Sequence, residues 1–512
     1  MSHRCQSSPR HPTKLRNIGQ ETTINVLPDE ALLEIFDFLL YENGRTEGWH
    51  PLVHVCRKWR DIIFGSPRRL NLRLYCTTWT PVKEMLDIWP PLPIIINGSC
   101  FPSSSVDNVV AALECNDRIC EVKFGPSSIS LWENVLAQMQ VPFPELTCLH
   151  LESKDDTVPV VPNSFLSGSA PRLRSLCLDG ILFPGLPKLL LSATGLVDLS
   201  LLNVPHSGYI SPDAIVACLS TLTGLKSLSL KLQSPRSRPD PGGWCPPPAT
   251  RAVLPALTEL QFTGVSEYLE DLVARIEAPH LHVLDIRFFL QLIFETPQLV
   301  QFIERTPQLK TPDEARVVFS DSGATVSLSR RFDDRGLELG ISCRRVDWQL
   351  SSLEQVCGSC LPRALISAVK NLHILERQTS PYHRENDSDI ENSQWLGLFL
   401  PFTTVRHLYL SKESAPSVMP VLQELLGDRA RAILPALQHL HLEVPPIWTS
   451  PVDHHREVRC HETALQAPDS RLSTKHNLSP VIDISVSIGI TFRIAYLNNS
   501  IFLHPSSEWY LR

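Results

Sequence analysis

A chain of 512 residues is longer than one hydrophobic core normally supports, so more than one domain is expected. With 43% hydrophobic and 20% charged residues, the composition is that of a soluble globular protein and excludes a disordered or membrane-embedded chain. The formal net charge of −7 lacks the basic excess of a dedicated nucleic-acid binder, so neither nucleic acid nor membrane is an expected partner.

The first 20 residues carry four Arg/Lys and no acid, and residues 1–22 read as a disordered basic arm. They lack the apolar core of about seven residues that a signal peptide needs. No window offers the ~18 uninterrupted apolar residues of a membrane span. The chain is therefore expected inside the cell, cytoplasmic and/or nuclear, with its 14 cysteines reduced and mostly buried. The 43 prolines lie scattered between apolar runs, which points to many short elements with frequent stops.

Residues 24–64 hold the most specific signal. Pro28 suits a first helical position, where its fixed φ and missing N–H cost nothing, and Asp29 and Glu30 follow in the favoured acidic first turn. Leu32, Ile35, Phe36 and Leu39 mark one face of a helix. The polar insert YENGRTEGWHP (41–51) precedes a second helix, predicted from Pro51, whose apolar positions are Leu52, Val55, Cys56, Trp59, Ile62 and Ile63. Two short amphipathic helices around a tryptophan make little core alone, so this module, residues 23–70, needs a partner.

These residues resemble the F-box motif. The family opens with Leu-Pro and an acid, here Leu27, Pro28 and Glu30, and continues with a Leu…Ile-Phe helix. It closes with Val-Cys-Arg-x-Trp, here Val55, Cys56, Arg57, Lys58 and Trp59. The polar insert is longer than the family's usual turn, which leaves the helix junction open. The resemblance implies docking onto the Skp-type adaptor of a cullin–RING ubiquitin ligase. The implied adaptor-binding set is Leu27, Pro28, Glu30, Leu32, Ile35, Phe36, Leu39, Val55, Cys56 and Trp59.

Residues 71–118 are expected to form a linker or first cap. From 119 a pattern L-x-x-L-x-L recurs, with L any large apolar residue: ICEVKF at 119, then starts at 146, 173, 196, 225, 257 and 281, and again at 369, 405 and 437. The first seven starts are 27, 27, 23, 29, 32 and 24 residues apart, close to the leucine-rich-repeat period. Alternation places every second side chain inward, and one repeat cannot bury its apolar side alone, so the strands should stack into a parallel sheet lining a concave face. Runs 211–224 and 416–427 read as short helices on the outer face. The expected fold is α+β: a helical F-box followed by an α/β leucine-rich-repeat-like solenoid over 119–449. The combination looks like a large class of fungal F-box proteins with degenerate repeats. Residues 337–341 show strand alternation inside the 88-residue gap before 369. QSPRSRPDPGGWCPPPATR (233–251) reads as an exposed loop. Residues 450–512 form an atypical tail, with two readings open: a capping or disordered segment, or non-coding sequence read through by a gene-model error.

No G-x-x-x-x-G-K-[ST], H-E-x-x-H or G-x-S-x-G occurs, so catalysis and a cofactor are not expected. Weaker constellations are His50/His54, Cys357/Cys360, and His454, His455, Cys460 and His461; each reads as structural or solvated rather than metal-binding. If the strands from 369, 405 and 437 align, their outward residues form two rows: Asn371, His407, His439 and His373, Tyr409, His441. His373, His407, Tyr409, His439 and His441 are therefore the expected contacts for an unknown protein substrate. The leading function is a non-catalytic substrate-recognition subunit of an SCF-type ligase, with the adaptor and, through it, a cullin as partners. The alternative is an F-box scaffold acting without the ligase.

Overall fold

In the computed structural model, the described residues are 27–42, 49–77, 80, 82–98, 106–125, 129–153, 159–233, 250–291, 293–309, 312–330, 336–377, 392–424, 433–443, 481–486 and 490–495. The predicted basic arm (1–22), most of the proline-rich loop and residues 450–480 lie outside them, and so do His454, His455, Cys460 and His461.

The N-terminal module has three helices: α1 (Asp29–Glu42), α2 (His50–Val53) and α3 (Arg57–Gly65). α1 starts directly after Pro28 with Asp29 and Glu30 in its first turn, where carboxylates favour the positive end of the helix dipole. The single helix expected from Pro51 to Ile63 is instead split. Cys56 is extended (φ −159°, ψ 171°), and Arg60 donates from Nε to the Val53 carbonyl across the break at 3.1 Å. The break turns Trp59 into the core while Val55 stays on the surface.

The sheet begins earlier than the leucine pattern suggests. β1 (Leu74–Cys76) and β2 (Ile94–Gly98) are parallel partners, separated by α4 (Val82–Ile88), so the segment read as a linker or first cap already supplies strands. After α5 (Val106–Leu113), the regular run comprises β3 (Ile119–Phe124), β4 (Cys148–Glu152), β5 (Ser175–Asp179), β6 (Asp198–Val204) and β7 (Ser227–Leu232). Beyond a small parallel pair, β8 (Ala252–Val253) with β10 (Ile276–Glu277), the run continues as β9 (Glu259–Gly264) and β11 (Val283–Phe289). Each strand of the run lies parallel to the last, from β2 to β11. Leu149, Leu176, Leu199, Leu228, Leu260 and Leu284 align in one fully buried row. The first leucine of each pattern, such as Leu173, Leu196 or Leu225, is equally buried just before its strand. Helices pack behind this row. One of them, α8 (Pro212–Leu219), is capped by Ser211, whose Oγ accepts from the Ala214 amide at 3.3 Å.

The 88-residue gap holds an insertion that departs from the all-parallel expectation. β12 (Glu314–Ser320), β13 (Gly323–Ser329) and β14 (Leu337–Ser342) form an antiparallel meander. β14 lies parallel beside β11, and β12 lies parallel beside β15 (Asn371–Arg377), so the meander enters the sheet in reverse chain order. The tight β12–β13 turn requires Gly323, because a Cβ there would sit 2.1 Å from the Ile341 carbonyl oxygen. α11 (Val346–Ser359) then returns the chain to β15, and β16 (His407–Ser411) and β17 (His439–Glu443) restore parallel stacking. The alternating stretch of the tail supplies β18 (Val481–Val486) and β19 (Ile490–Ala495), with β19 paired parallel to β17. Among the described residues, the result is one seventeen-stranded, mostly parallel sheet that shares a continuous hydrophobic core with the helical module. Among the described residues, no helix is long and apolar enough to cross a membrane.

Candidate functional site

Two surfaces emerge, one at each end of the sheet. At the helical end, Phe36 from α1 meets Trp59 from α3 edge-on, with centroids 4.8 Å apart. Both are buried, as is Leu32, so these three expected adaptor contacts are core residues that hold the surface in place instead of forming it. Leu27, Leu39 and Cys56 are half-buried against the same core. Pro28 and Glu30 are exposed. Lys58 ties the start of α1 to α3, donating to the Leu27 carbonyl at 3.0 Å and pairing with Asp29 at 3.2 Å.

Three large apolar side chains of the module also stay outside. Ile35 is 38% exposed, Val55 55% and Phe38 60%. Phe38 was not among the expected contacts, because it falls off the 3–4 spacing used to find the helix's core face; that very offset was the available signal. An exposed phenylalanine beside an isoleucine is an unfavourable surface for a chain without a partner.

The polar insert also hides an anchor. Trp49 is buried and donates from Nε1 to the Arg73 carbonyl at 2.9 Å, just before β1. Its ring meets Phe64 and Trp89 edge-on at 5.8 and 5.3 Å. His50 stacks on Trp89, and His54 meets the same ring edge-on at 6.1 Å. The two histidines flank an aromatic ring, in keeping with a structural role.

At the far end, β15, β16 and β17 align so that Asn371, His407 and His439 form one row and His373, Tyr409 and His441 the next. These residues point away from the leucine face. His373 and Tyr409 stack at 4.3 Å with rings 6° from parallel, and Tyr409 and His441 at 4.4 Å and 11°. His407 stacks on His439 at 4.8 Å, and its Nδ1 lies 3.4 Å from His441 Nε2. His373 is buried at the inner end of the ladder, while His407, Tyr409, His439 and His441 are half-buried. Burial lowers the His407 pKa, with repulsion from His439 and Arg406 adding to it, which favours a neutral ring. β12 extends both rows with a charged pair, Glu314 beside Asn371 and Arg316 beside His373.

Among the described residues, no group of three or more His, Cys, Asp or Glu side chains is arranged to hold a metal. Cys357 and Cys360 are buried, and burial pushes both thiols up to about 12, so they stay protonated. Cys177, on the outward face of β5, is likewise pushed up to about 12 by burial and by the nearby Asp179 and Glu152 carboxylates.

The geometry defines a helical module joined to a leucine-lined parallel sheet through one core. Residues 24–79 match the family model described as F-box-like, so the chain carries an F-box-like domain. No curated protein matches the chain. Among solved structures, the chain is similar to the one described as "Crystal structure of TLR13-ssRNA13 complex", at 14% identity and a TM-score of 0.28. That alignment covers 72% of this chain and 44% of the other, so this chain spans less than half of that protein's length. A likeness at that score carries no weight, and the fold rests on the strand pairings themselves.

Proposed function

We propose that this protein is a non-catalytic substrate-recognition subunit of an SCF-type cullin–RING ubiquitin ligase, working in the cytoplasm and/or nucleus without a cofactor. Its F-box surface, centred on Ile35, Phe38 and Val55, binds a Skp-type adaptor and through it a cullin. The sheet's open face binds a protein substrate, with His407, Tyr409, His439 and His441 in the contact and His373 bracing the stack from inside. Catalysis resides in other subunits, and this chain supplies effective concentration and orientation.

The observation that carries this reading is the exposure of Ile35, Phe38 and Val55 on an F-box-like domain whose own aromatic core is already complete. Half-buried aromatic and imidazole rings support the substrate surface, since aromatic residues are enriched at interface centres. Co-purification tests the proposal. Recovery of adaptor and cullin together with the wild-type chain, and loss of both with Ile35→Asp/Phe38→Asp at unchanged circular dichroism, is the expected result. Adaptor without cullin would make the chain an F-box scaffold outside the ligase. Recovery of neither would sink both readings. On the substrate side, replacing His407, Tyr409 and His441 together by Ala should reduce substrate capture while adaptor binding is unchanged; unaltered capture would move the contact elsewhere.

A further inference from the structure

The meander creates a feature that neither surface above uses. β11 and β14 are adjacent parallel strands, and each is followed by its own helix, β11 by α10 (Pro297–Arg305) and β14 by α11. At this rim lies a groove of about 410 Å³ lined by Leu290, Ser322, Ser342, Cys343, Arg344, Arg345 and Trp348.

Both walls are held from behind by buried glutamines. Gln291 accepts from the Ser266 amide at 3.3 Å and donates to Ser266 Oγ at 2.7 Å and to the Ile293 carbonyl at 3.0 Å. Gln349 donates to the Ser320 carbonyl at 2.9 Å and the Cys343 carbonyl at 2.7 Å, fixing the β12–β13 turn against the end of β14. On these pinned walls the apolar side chains stay outside: Leu290 and Trp348 are both exposed.

The charge at the groove is uneven. Arg345 is engaged by Asp347 through two contacts, 3.1 and 2.8 Å, and lies 5.4 Å from the Trp348 ring centroid, so it stiffens that wall. Arg344 has no carboxylate partner among the described residues and lines the groove exposed. An apolar slot with one uncompensated guanidinium complements an apolar side chain next to a carboxylate.

The geometry points to this groove as a second docking site, taking an extended segment of a partner protein in which a bulky apolar side chain is followed by an acidic residue. It rests on the reading that the sheet receives a partner protein, and it adds the chemical class of one part of that partner. The apolar side chain lies against Trp348 and Leu290, and the carboxylate pairs with Arg344.

The test uses the purified full chain and short capped peptides carrying a central Leu or Phe, followed by either Asp-Glu or Lys-Lys, read by fluorescence anisotropy. The acidic peptides should bind saturably and the lysine peptides should not. Arg344→Glu and, separately, Trp348→Ala should each weaken the acidic peptide by about tenfold or more, as expected for an interface charge or aromatic anchor. Lys83→Ala, at an exposed position outside both surfaces, should leave peptide binding unchanged. Equal binding of the two peptide sets, or indifference to Arg344→Glu, overturns the proposal. A concentration-dependent dimer lost in Trp348→Ala overturns it as well, because the groove would then hold a second copy of this chain. Failure of adaptor co-purification would strike the ligase reading alone, whereas failure of the peptides strikes only the groove.

Discussion

At the helical end of the sheet the aromatic rings meet edge-on and out of sight: Phe36 on Trp59, and Trp49 against Phe64 and Trp89. At the other end His373, Tyr409 and His441 lie face to face on the open side, about one ring thickness apart. The first arrangement is a packing solution, in which irregular rings fill space between short helices. The second is imposed by register, because parallel strands set equivalent side chains side by side at the interstrand spacing. The difference bears on function. Filling the helical core leaves Ile35, Phe38 and Val55 exposed, whereas the ladder displays polar ring edges and leaves the leucines to hold the sheet.

The contrast should be easiest to break in the helical core. Trp59→Ala removes a buried aromatic and should cost roughly 3–5 kcal/mol, comparable to the whole stability of a module this small. Protease should then release the first 70 or so residues before the sheet is cut. A melting curve and digestion pattern like those of the wild type would mean the core does not depend on Trp59.

Two phenylalanines on one helix sharpen the point. Phe36→Ala should cost a similar few kcal/mol, and Phe38→Ala, at an exposed position, should stay within about 0.5 kcal/mol. Both should lose adaptor, the first by unfolding and the second with its fold intact. Equal destabilisation of the two by chemical denaturation would show that Phe38 is covered.

At the ladder, Tyr409→Ala removes three ring contacts, the two closest, to His373 and His441, worth about 0.5–1.5 kcal/mol each. The sheet should stay folded with a modestly lower denaturation midpoint and unchanged adaptor capture. Collapse of the sheet would mean that the ladder, not the leucine row, carries the C-terminal repeats.

The smallest effect is a pH dependence. His407 has its pKa lowered in the folded state, chiefly by burial, and His150 is shifted the same way for the same reason. The unfolded chain therefore binds the proton first as pH falls. This contribution to stability is complete above the free imidazole value near 6.5 and is lost as pH drops below it. Tm should fall between about pH 7 and 5, and His407→Gln should make that fall shallower. A Tm that rises on acidification, or a slope untouched by His407→Gln, would contradict the assigned environment.

The F-box-like module was legible because its determinants are local: Leu27–Pro28, the helical spacing of Leu32 and Phe36, and Trp59 all act within about 40 residues. The leucine pattern likewise gave the strands from 119 to 289 and the alignment of β15 to β17, since alternation fixes which side chains face the core. Three things needed the tertiary structure. The break at Cys56 depends on how Trp59 and Val55 divide between core and surface. Trp49 reads as part of a polar insert until Arg73 and Trp89 close over it. The meander of β12 to β14 carries plain alternation that any strand could show. Its reversed order is decided by which neighbours are free to pair, and strand pairing is a long-range choice that no local pattern encodes.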